Sequence, residues 1–195
     1  EHAEWSDRID PELVTFQNKL WVLGGYNPGE KDGDSYYEDV WSSADGITWD
    51  QVTDDAPWQG RRGHRVVTFD DGTGEALYLI GGFSSDESSG ERAYNNDVWK
   101  STNGKDWVEI KSNTTPQLDN IVDWFPRMYP GLVAANHGGT NYIYLFGGRT
   151  MRTGMDARYA TVYFNDVWRS INGVTGENLP AIDNVNVSDH FGGVD

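Results

Sequence analysis

One ordered set of residues occurs three times along the chain, and recurrence over a period of tens of residues restricts it to repeat architectures. An apolar run closes on a diglycine at Leu20-Trp21-Val22-Leu23-Gly24-Gly25, at Leu77-Tyr78-Leu79-Ile80-Gly81-Gly82 and at Ile143-Tyr144-Leu145-Phe146-Gly147-Gly148. Asp-Val-Trp comes next at Asp39-Val40-Trp41, Asp97-Val98-Trp99 and Asp166-Val167-Trp168, and beyond each tryptophan stands Asp45-Gly46, Asn103-Gly104 or Asn172-Gly173. Trp-x-x-Arg precedes each set, at Trp5/Arg8, Trp58/Arg61 and Trp124/Arg127. Trp58 to Gly81 and Trp124 to Gly147 are both 23 residues, a register that independent drift would not keep.

Each set reads as four short antiparallel strands, the content of one propeller blade. The first strand turns into the diglycine strand at Gln17-Asn18-Lys19, Asp70 to Glu75 or Asn136 to Thr140; a longer loop leads to the Asp-Val-Trp strand. The Asp/Asn-Gly dipeptide tolerates φ > 0 at both positions and reads as a two-residue hairpin turn into a fourth strand marked by Trp49 or Trp107. In the third copy Val174-Thr175-Gly176 replaces that marker, and the segment after it contains Pro180. The expected division is therefore three repeats, 1–57, 58–115 and 116–176, and an irregular tail, 177–195. The heavy aromatic load, nine Trp, ten Tyr and seven Phe, agrees with an all-β chain.

These copies resemble the kelch repeat family, in the variety written out by Asn96-Asp97-Val98-Trp99-Lys100-Ser101-Thr102-Asn103-Gly104-Lys105-Asp106-Trp107. The resemblance covers nearly all of residues 5–176 and implies four-stranded blades, with the residues just after each diglycine lining a ligand face. Ser43 to Trp49 is also similar to the Asp-box of sialidase-type propellers, but is one residue shorter between Asp45 and Gly46, so it is read as a hairpin. Kelch relatives include galactose oxidase-type copper-radical enzymes, whose radical needs a cysteine; this chain has none, so that activity does not carry over.

The absence of cysteine also excludes disulfides, thiolate metal sites and cysteine nucleophiles. A net charge of −16 disfavours nucleic acid and anionic membrane, and no apolar run approaches a membrane span. The charge is uneven: residues 1–57 hold 14 acidic and 3 basic side chains. The chain opens on Glu-His-Ala-Glu with no signal peptide in view. Its four histidines have no metal-ligand spacing, and the acidic turns at Asp32-Gly33-Asp34 and Asp70 to Glu75 read as hairpins before calcium loops. No metal, cofactor or catalytic residue is assigned.

Three blades alone leave faces and strand edges open. Further blades in other sequence, a second chain completing six, or the tail and neighbouring subunits would cover them. Arg8, Arg61 and Arg127 read as scaffold, stacking on aromatics or bonding carbonyls between blades. The loops after the diglycines, Tyr26 to Glu38, Phe83 to Asn96 and Arg149 to Asn165, vary on a repeated frame, and there recognition is expected. Tyr26, Phe83 and Arg149 open them; Arg152 and Arg158 add charge that could face the acidic first repeat of a neighbour. Tyr36, Tyr37, Tyr94 and Tyr163 offer faces for sugar stacking. Asn113-Thr114-Thr115 and Asn186-Val187-Ser188 are N-glycosylation sequons. The residues thus point to a non-enzymatic interaction or assembly module, extracellular or on a cell surface, binding a protein or a glycan. The alternative is a domain of a carbohydrate-active propeller enzyme completed by other blades or a second chain.

Overall fold

The computed structural model describes residues 3–30, 33–85, 92–114, 123–153 and 159–179, and among them there is no helix. The first repeat runs β1 (Glu12–Phe16), β2 (Lys19–Leu23), β3 (Tyr26–Glu30), β4 (Gly33–Tyr36), β5 (Val40–Ser43) and β6 (Asp50–Thr53). The second runs β7 (Arg61–Arg62), β8 (Arg65–Asp70), β9 (Glu75–Ser85), β10 (Arg92–Ser101) and β11 (Val108–Lys111). The third runs β12 (Gly131–His137), β13 (Thr140–Phe146), β14 (Arg149–Thr153), β15 (Tyr159–Tyr163), β16 (Val167–Ser170) and β17 (Glu177–Asn178). Three antiparallel sheets result, ordered β1-β2-β5-β6, β8-β9-β10-β11 with β7 added beside β9, and β12-β13-β16-β17. The four-stranded blades expected from the repeats are present.

Three expectations are corrected. The segments after the diglycines begin as β-hairpins, not as loops: β3 pairs β4, β14 pairs β15, and in the second repeat Phe83 to Ser85 pairs the start of β10 as a continuation of the blade. The fourth strand of the third blade exists without a tryptophan, since Glu177 and Asn178 pair with Arg169 and Trp168, so that sheet extends past residue 176. The Asp/Asn-Gly turns are wider than two residues. Only the glycine takes positive φ, +76° at Gly46, +73° at Gly104 and +74° at Gly173. In the first, Ser43 Oγ accepts the Gly46 N–H at 2.8 Å, and Asp45 Oδ1 accepts those of Ile47 and Thr48 at 2.8 and 2.9 Å. Ser101/Asn103 and Ser170/Asn172 do the same. Local side-chain acceptors offered to the backbone thus replace the tight hairpin.

Strand alternation sends side chains of the second blade to both neighbours. Leu77 and Leu79 join Phe16, Trp21, Leu23 and Val40 of the first blade; Ala76, Tyr78 and Ile80 join Ile143, Leu145 and Trp168 of the third. The core is therefore two slabs between three sheets. The Trp-x-x-Arg tryptophans fill them: Trp58 meets Trp107 edge-on at 5.9 Å, and Trp124 lies 6.3 Å from Trp168. Burying such side chains stabilises by roughly 1.5–3 kcal/mol each for Val, Leu, Ile or Phe, which in a chain without crosslinks carries the fold. Each turn glycine of the second and third blades seats on an aromatic of the preceding blade. A Cβ at Gly104 would lie 2.1 Å from the Trp21 ring, and one at Gly173 would lie 3.1 Å from Tyr78.

Gly46 has much the same φ as Gly104, but a Cβ there meets only Leu20, at 3.4 Å. Gly104→Ala should therefore destabilise by about 1–3 kcal/mol more than Gly46→Ala, the overpacking cost without the shared backbone cost. Urea midpoints of the two variants measure the difference.

Candidate functional site

The arginine of each Trp-x-x-Arg is tied into its own repeat. Arg8 donates to both carboxylate oxygens of Asp39 at 2.6 and 2.8 Å and to Gly24 O at 3.0 Å. Arg61 does so with Asp97 at 2.9 Å twice and with Gly81 O at 2.9 Å, and Arg127 with Asp166 at 2.6 and 2.8 Å and with Gly147 O at 2.6 Å. The same carboxylates accept the indole N–H of Trp41, Trp99 and Trp168 at 2.7, 2.8 and 2.8 Å. Arg8 stacks on Tyr37 and Arg127 on Phe164, at 4.2 and 4.0 Å. These bonds close within the blade rather than between blades, because the acceptor carboxylate and the diglycine carbonyl both belong to the arginine's own repeat. The scaffold reading stands; its location is corrected.

The residues immediately after these arginines lie at the strand ends that the pairs tie together. Asp10, Gly63 and Tyr129 occupy equivalent positions with φ of +55°, +62° and +56°, and for an aspartate and above all a tyrosine that backbone is strained. The Tyr129 N–H donates to Gly63 O at 2.7 Å, and its hydroxyl donates to the Asp10 carboxylate, so third, second and first blades meet here. Gly63 leaves the room: a Cβ there would stand 3.0 Å from the Tyr129 ring.

Beside this bridge lies Arg62. Its guanidinium sits 4.3 Å from the Tyr26 ring centre, 6.0 Å from that of Tyr36 and 5.9 Å from that of Phe83. Tyr26 meets Tyr36 at 4.7 Å, Tyr36 meets Phe83 at 6.1 Å, and Phe83 meets Tyr94 at 4.9 Å. Arg149 stands 5.4 Å from the Tyr129 ring. The Arg62 Nε–H is buried and has no hydrogen-bond partner among the described residues. Burial raises the Tyr94 and Tyr129 hydroxyls above the usual phenol range, and both feel the charges of Arg62 and Arg149. The cluster brings aromatic rings, phenolic hydroxyls and guanidinium donors together, with Tyr26 and Tyr36 buried beneath and Phe83, Tyr94, Tyr129, Arg62 and Arg149 partly exposed.

Of the residues singled out from sequence, Tyr26, Phe83 and Arg149 enter this cluster from three different blades, as do Tyr36 and Tyr94 from the first and second. Tyr37 belongs to the scaffold stack, and Tyr163 is exposed. Arg152 pairs with Ala160 in the β14–β15 hairpin; Arg158 and Asn186 lie outside the described residues. The Asn113 amide is engaged on both sides: Oδ1 accepts the N–H groups of Asn96 and Asp97 at 2.7 and 3.0 Å, and Nδ2 donates to Asn95 at 2.8 Å. It closes the entry to the Asp-Val-Trp segment. Asp70 and Asp71 accept N–H groups of their own turn, and Asp71 also binds Lys100 at 2.7 Å, as a hairpin requires. Sequence reasoning missed Arg62, Asp10 and Tyr129. The available signal was alignment of the copies after the scaffold arginine, where Ile9 and Met128 correspond to a charged Arg62.

Stacked four-stranded sheets whose segments after the arginines meet at one end define a partial β-propeller. The chain is similar in fold to the solved structure of YjhT, at 14% identity and a TM-score of 0.57, over 91% of this chain and 53% of that one. It is also similar to a glycosyl hydrolase from Bacteroides ovatus (14%, 0.54, 92% and 51%). A third similar structure is described under the GH130 family of mannoside phosphorylases and its glycoside hydrolases targeting β-1,2-mannosidic linkages in Candida mannan (14%, 0.54, 90% and 49%). The chain thus spans about half the length of these structures. No protein-family model and no curated protein matches it.

Breaking the buried Arg61–Asp97 pair by Asp97→Asn strands a guanidinium charge and should cost about 3–5 kcal/mol, against less than about 1 kcal/mol for Glu177→Gln at the exposed Arg169 pair. Chemical denaturation of both variants tests the contrast. His64 adds a pH dependence: burial, with the charges of Arg61 and Arg65, pushes its imidazole down to about 3. Above the ordinary 6.5 it is neutral whether folded or not, and its contribution is complete; as pH falls below 6.5 unfolding takes up a proton, and stability drops until about 3. Between pH 7 and 4.5 the wild type should lose roughly 2–3 kcal/mol more than His64→Leu, read from urea melts at each pH.

Proposed function

We propose that this chain is the carbohydrate-recognising part of a propeller, and that its ligand contacts Phe83, Tyr94, Tyr129, Arg62 and Arg149 of the cluster, over the buried rings of Tyr26 and Tyr36. The observation carrying this reading is the buried Arg62 Nε–H, without a partner among the described residues, held over tyrosine rings. Tyrosine combines an apolar face with a polar tip, and a sugar ring presents the complementary pair of surfaces, C–H faces and peripheral hydroxyls. Arginine supplies several fixed donors to ring or substituent oxygens. Two of the similar structures bear glycoside-hydrolase descriptions, which supports a carbohydrate ligand over a protein one.

Hydrolysis by the usual route needs two carboxyl groups flanking the scissile bond. The described cluster supplies Asp10, already bonded to Tyr129, so catalysis would need carboxylates from additional blades. On this reading the repeats are of kelch type, and the protein works outside the cell, where polysaccharide ligands are met.

A glycan array probed with the 195-residue chain tests the proposal. A defined set of bound glycans is expected, with Arg62→Leu and Tyr94→Ala each weakening binding at least tenfold while the thermal midpoint of Arg62→Leu stays near wild type. No retained glycan, or binding indifferent to both variants, would overturn it.

A further inference from the structure

Most of the arginines are neutralised within the chain. Arg8, Arg61 and Arg127 hold their scaffold aspartates at 2.6, 2.9 and 2.6 Å, Arg65 meets Glu12 at 3.3 Å, and Arg169 meets Glu177 at 2.8 Å. Arg62 and Arg149 are the other two whose side chains the structure describes, and neither has an ion pair or a side-chain hydrogen bond among the described residues. Carboxylates are not scarce, since acidic side chains outnumber basic ones by 31 to 15. Two unpaired guanidiniums in so acidic a chain therefore mark a place from which carboxylates have been kept away.

The backbone carries both to one spot. Gly63, next to Arg62, accepts the Tyr129 N–H at 2.7 Å, and Met128, next to Tyr129, exchanges both backbone bonds with Arg149 at 2.9 Å. The two charges accordingly act on the same pair of hydroxyls, those of Tyr94 and Tyr129. Both side chains are partly exposed, and of their nitrogens only the Arg62 Nε is buried without a partner, so the Arg62 terminal amines and the Arg149 guanidinium are open to solvent. Aromatic rings cover Arg62 at Tyr26 and Phe83, but a ring face gives the N–H groups no acceptor in their own plane. Asp10 brings a carboxylate to the cluster, and it accepts from the Tyr129 hydroxyl rather than from either arginine. Of these three charged groups, two are positive.

We propose that the ligand of this cluster is an acidic sugar, whose carboxylate or sulfate substituent sits between Arg62 and Arg149 while its ring rests against Phe83 and Tyr94. The proposal rests on the carbohydrate reading above and names the class of sugar within it. A guanidinium presents parallel N–H donors that match the paired oxygens of such a group, and its charge strengthens each bond. A neutral sugar hydroxyl takes one donor and leaves both charges uncompensated. The acidity of the remaining chain is no obstacle, because at physiological salt charges beyond roughly 8 Å are screened from an anion seated here.

An array carrying uronic-acid, sulfated and neutral glycans tests this with the 195-residue chain. Retained glycans should be acidic, and reducing their uronates to the neutral sugar, or removing their sulfates, should weaken binding at least tenfold; which treatment does so tells carboxylate from sulfate. Arg149→Gln should lose a similar factor for the acidic glycan and none for its neutralised form, with Arg149→Lys recovering part of the loss. Retention of neutral glycans that depends on Arg62 and Tyr94 would overturn the acidic ligand and leave the carbohydrate reading intact. An array with nothing retained overturns both. Polyglutamate competing as well as the free glycan would also overturn the proposal, since charge alone would then suffice. Should Arg149→Gln fail to fold, the wild-type comparison of each glycan with its neutralised form decides alone.

Discussion

A guanidinium held between a diglycine carbonyl and an aspartate is the contact on which each blade depends. Its arginine precedes the first strand, the glycines end the second, and the aspartate opens the third, so one planar fork ties three strands at one shared end. The carboxylate's remaining capacity orients a tryptophan indole, leaving little polar surface unsatisfied in a place that is otherwise dry. Such a buried pair adds little net stability over apolar packing, but it specifies where the chain enters, turns and leaves. The diglycine backbone is shaped by the same requirement, with φ of +67° and +99° at Gly81 and Gly82 and no room for a Cβ against Arg127 O or the His64 backbone.

Pinning these strand ends also sets the residues just beyond each arginine. Arg62 lies one residue past Arg61, and Tyr129 two past Arg127, so the cluster at the rim inherits its geometry from the scaffold. The strained backbone at Asp10 and Tyr129 is held there because flanking residues are already tied: Ile9 pairs with Tyr26, and Met128 pairs with Arg149. The hairpins after the diglycines then bring Tyr26, Phe83 and Arg149 alongside.

Much of this was legible in the residues themselves. Alternation in Leu77 to Ile80, with both faces apolar, marks a strand between two neighbours, and the triple Asp-Val-Trp marks equivalent strands. The turns were misread because Asn-Gly and Asp-Gly carry a strong hairpin signal, while the serine two residues upstream of the Asp or Asn, which captures the glycine N–H, changes the loop. The fourth strand at Glu177 was hidden because Gly176 replaces a tryptophan, and the space is taken by Trp124, whose ring lies 2.8 Å from where a Cβ at Gly176 would stand. Arg62 and Tyr129 escaped for a different reason. Their partners, Tyr26, Tyr36 and Asp10, are tens of residues away, and no local pattern reports a meeting that exists only once three blades stack.

The contrast between what the three copies share and where they differ bears on the ligand. Scaffold positions are the same residue in every blade: arginine, paired glycines, aspartate, tryptophan. The rim positions differ each time, with Ile9, Arg62 and Met128 equivalent, Asp10, Gly63 and Tyr129 equivalent, and Tyr26, Phe83 and Arg149 equivalent. A repeated frame therefore carries a rim whose charge, hydroxyls and aromatic faces are arranged without the symmetry of the frame. A ligand that bound each blade alike would need three like sites; one that rests on this rim meets a carboxylate from the first blade, a guanidinium from the second, and a phenol and a second guanidinium from the third. On the carbohydrate reading proposed above, such a surface would discriminate by the order of groups around the ligand, which is how a ring with distinct substituents at successive positions is told from its isomers.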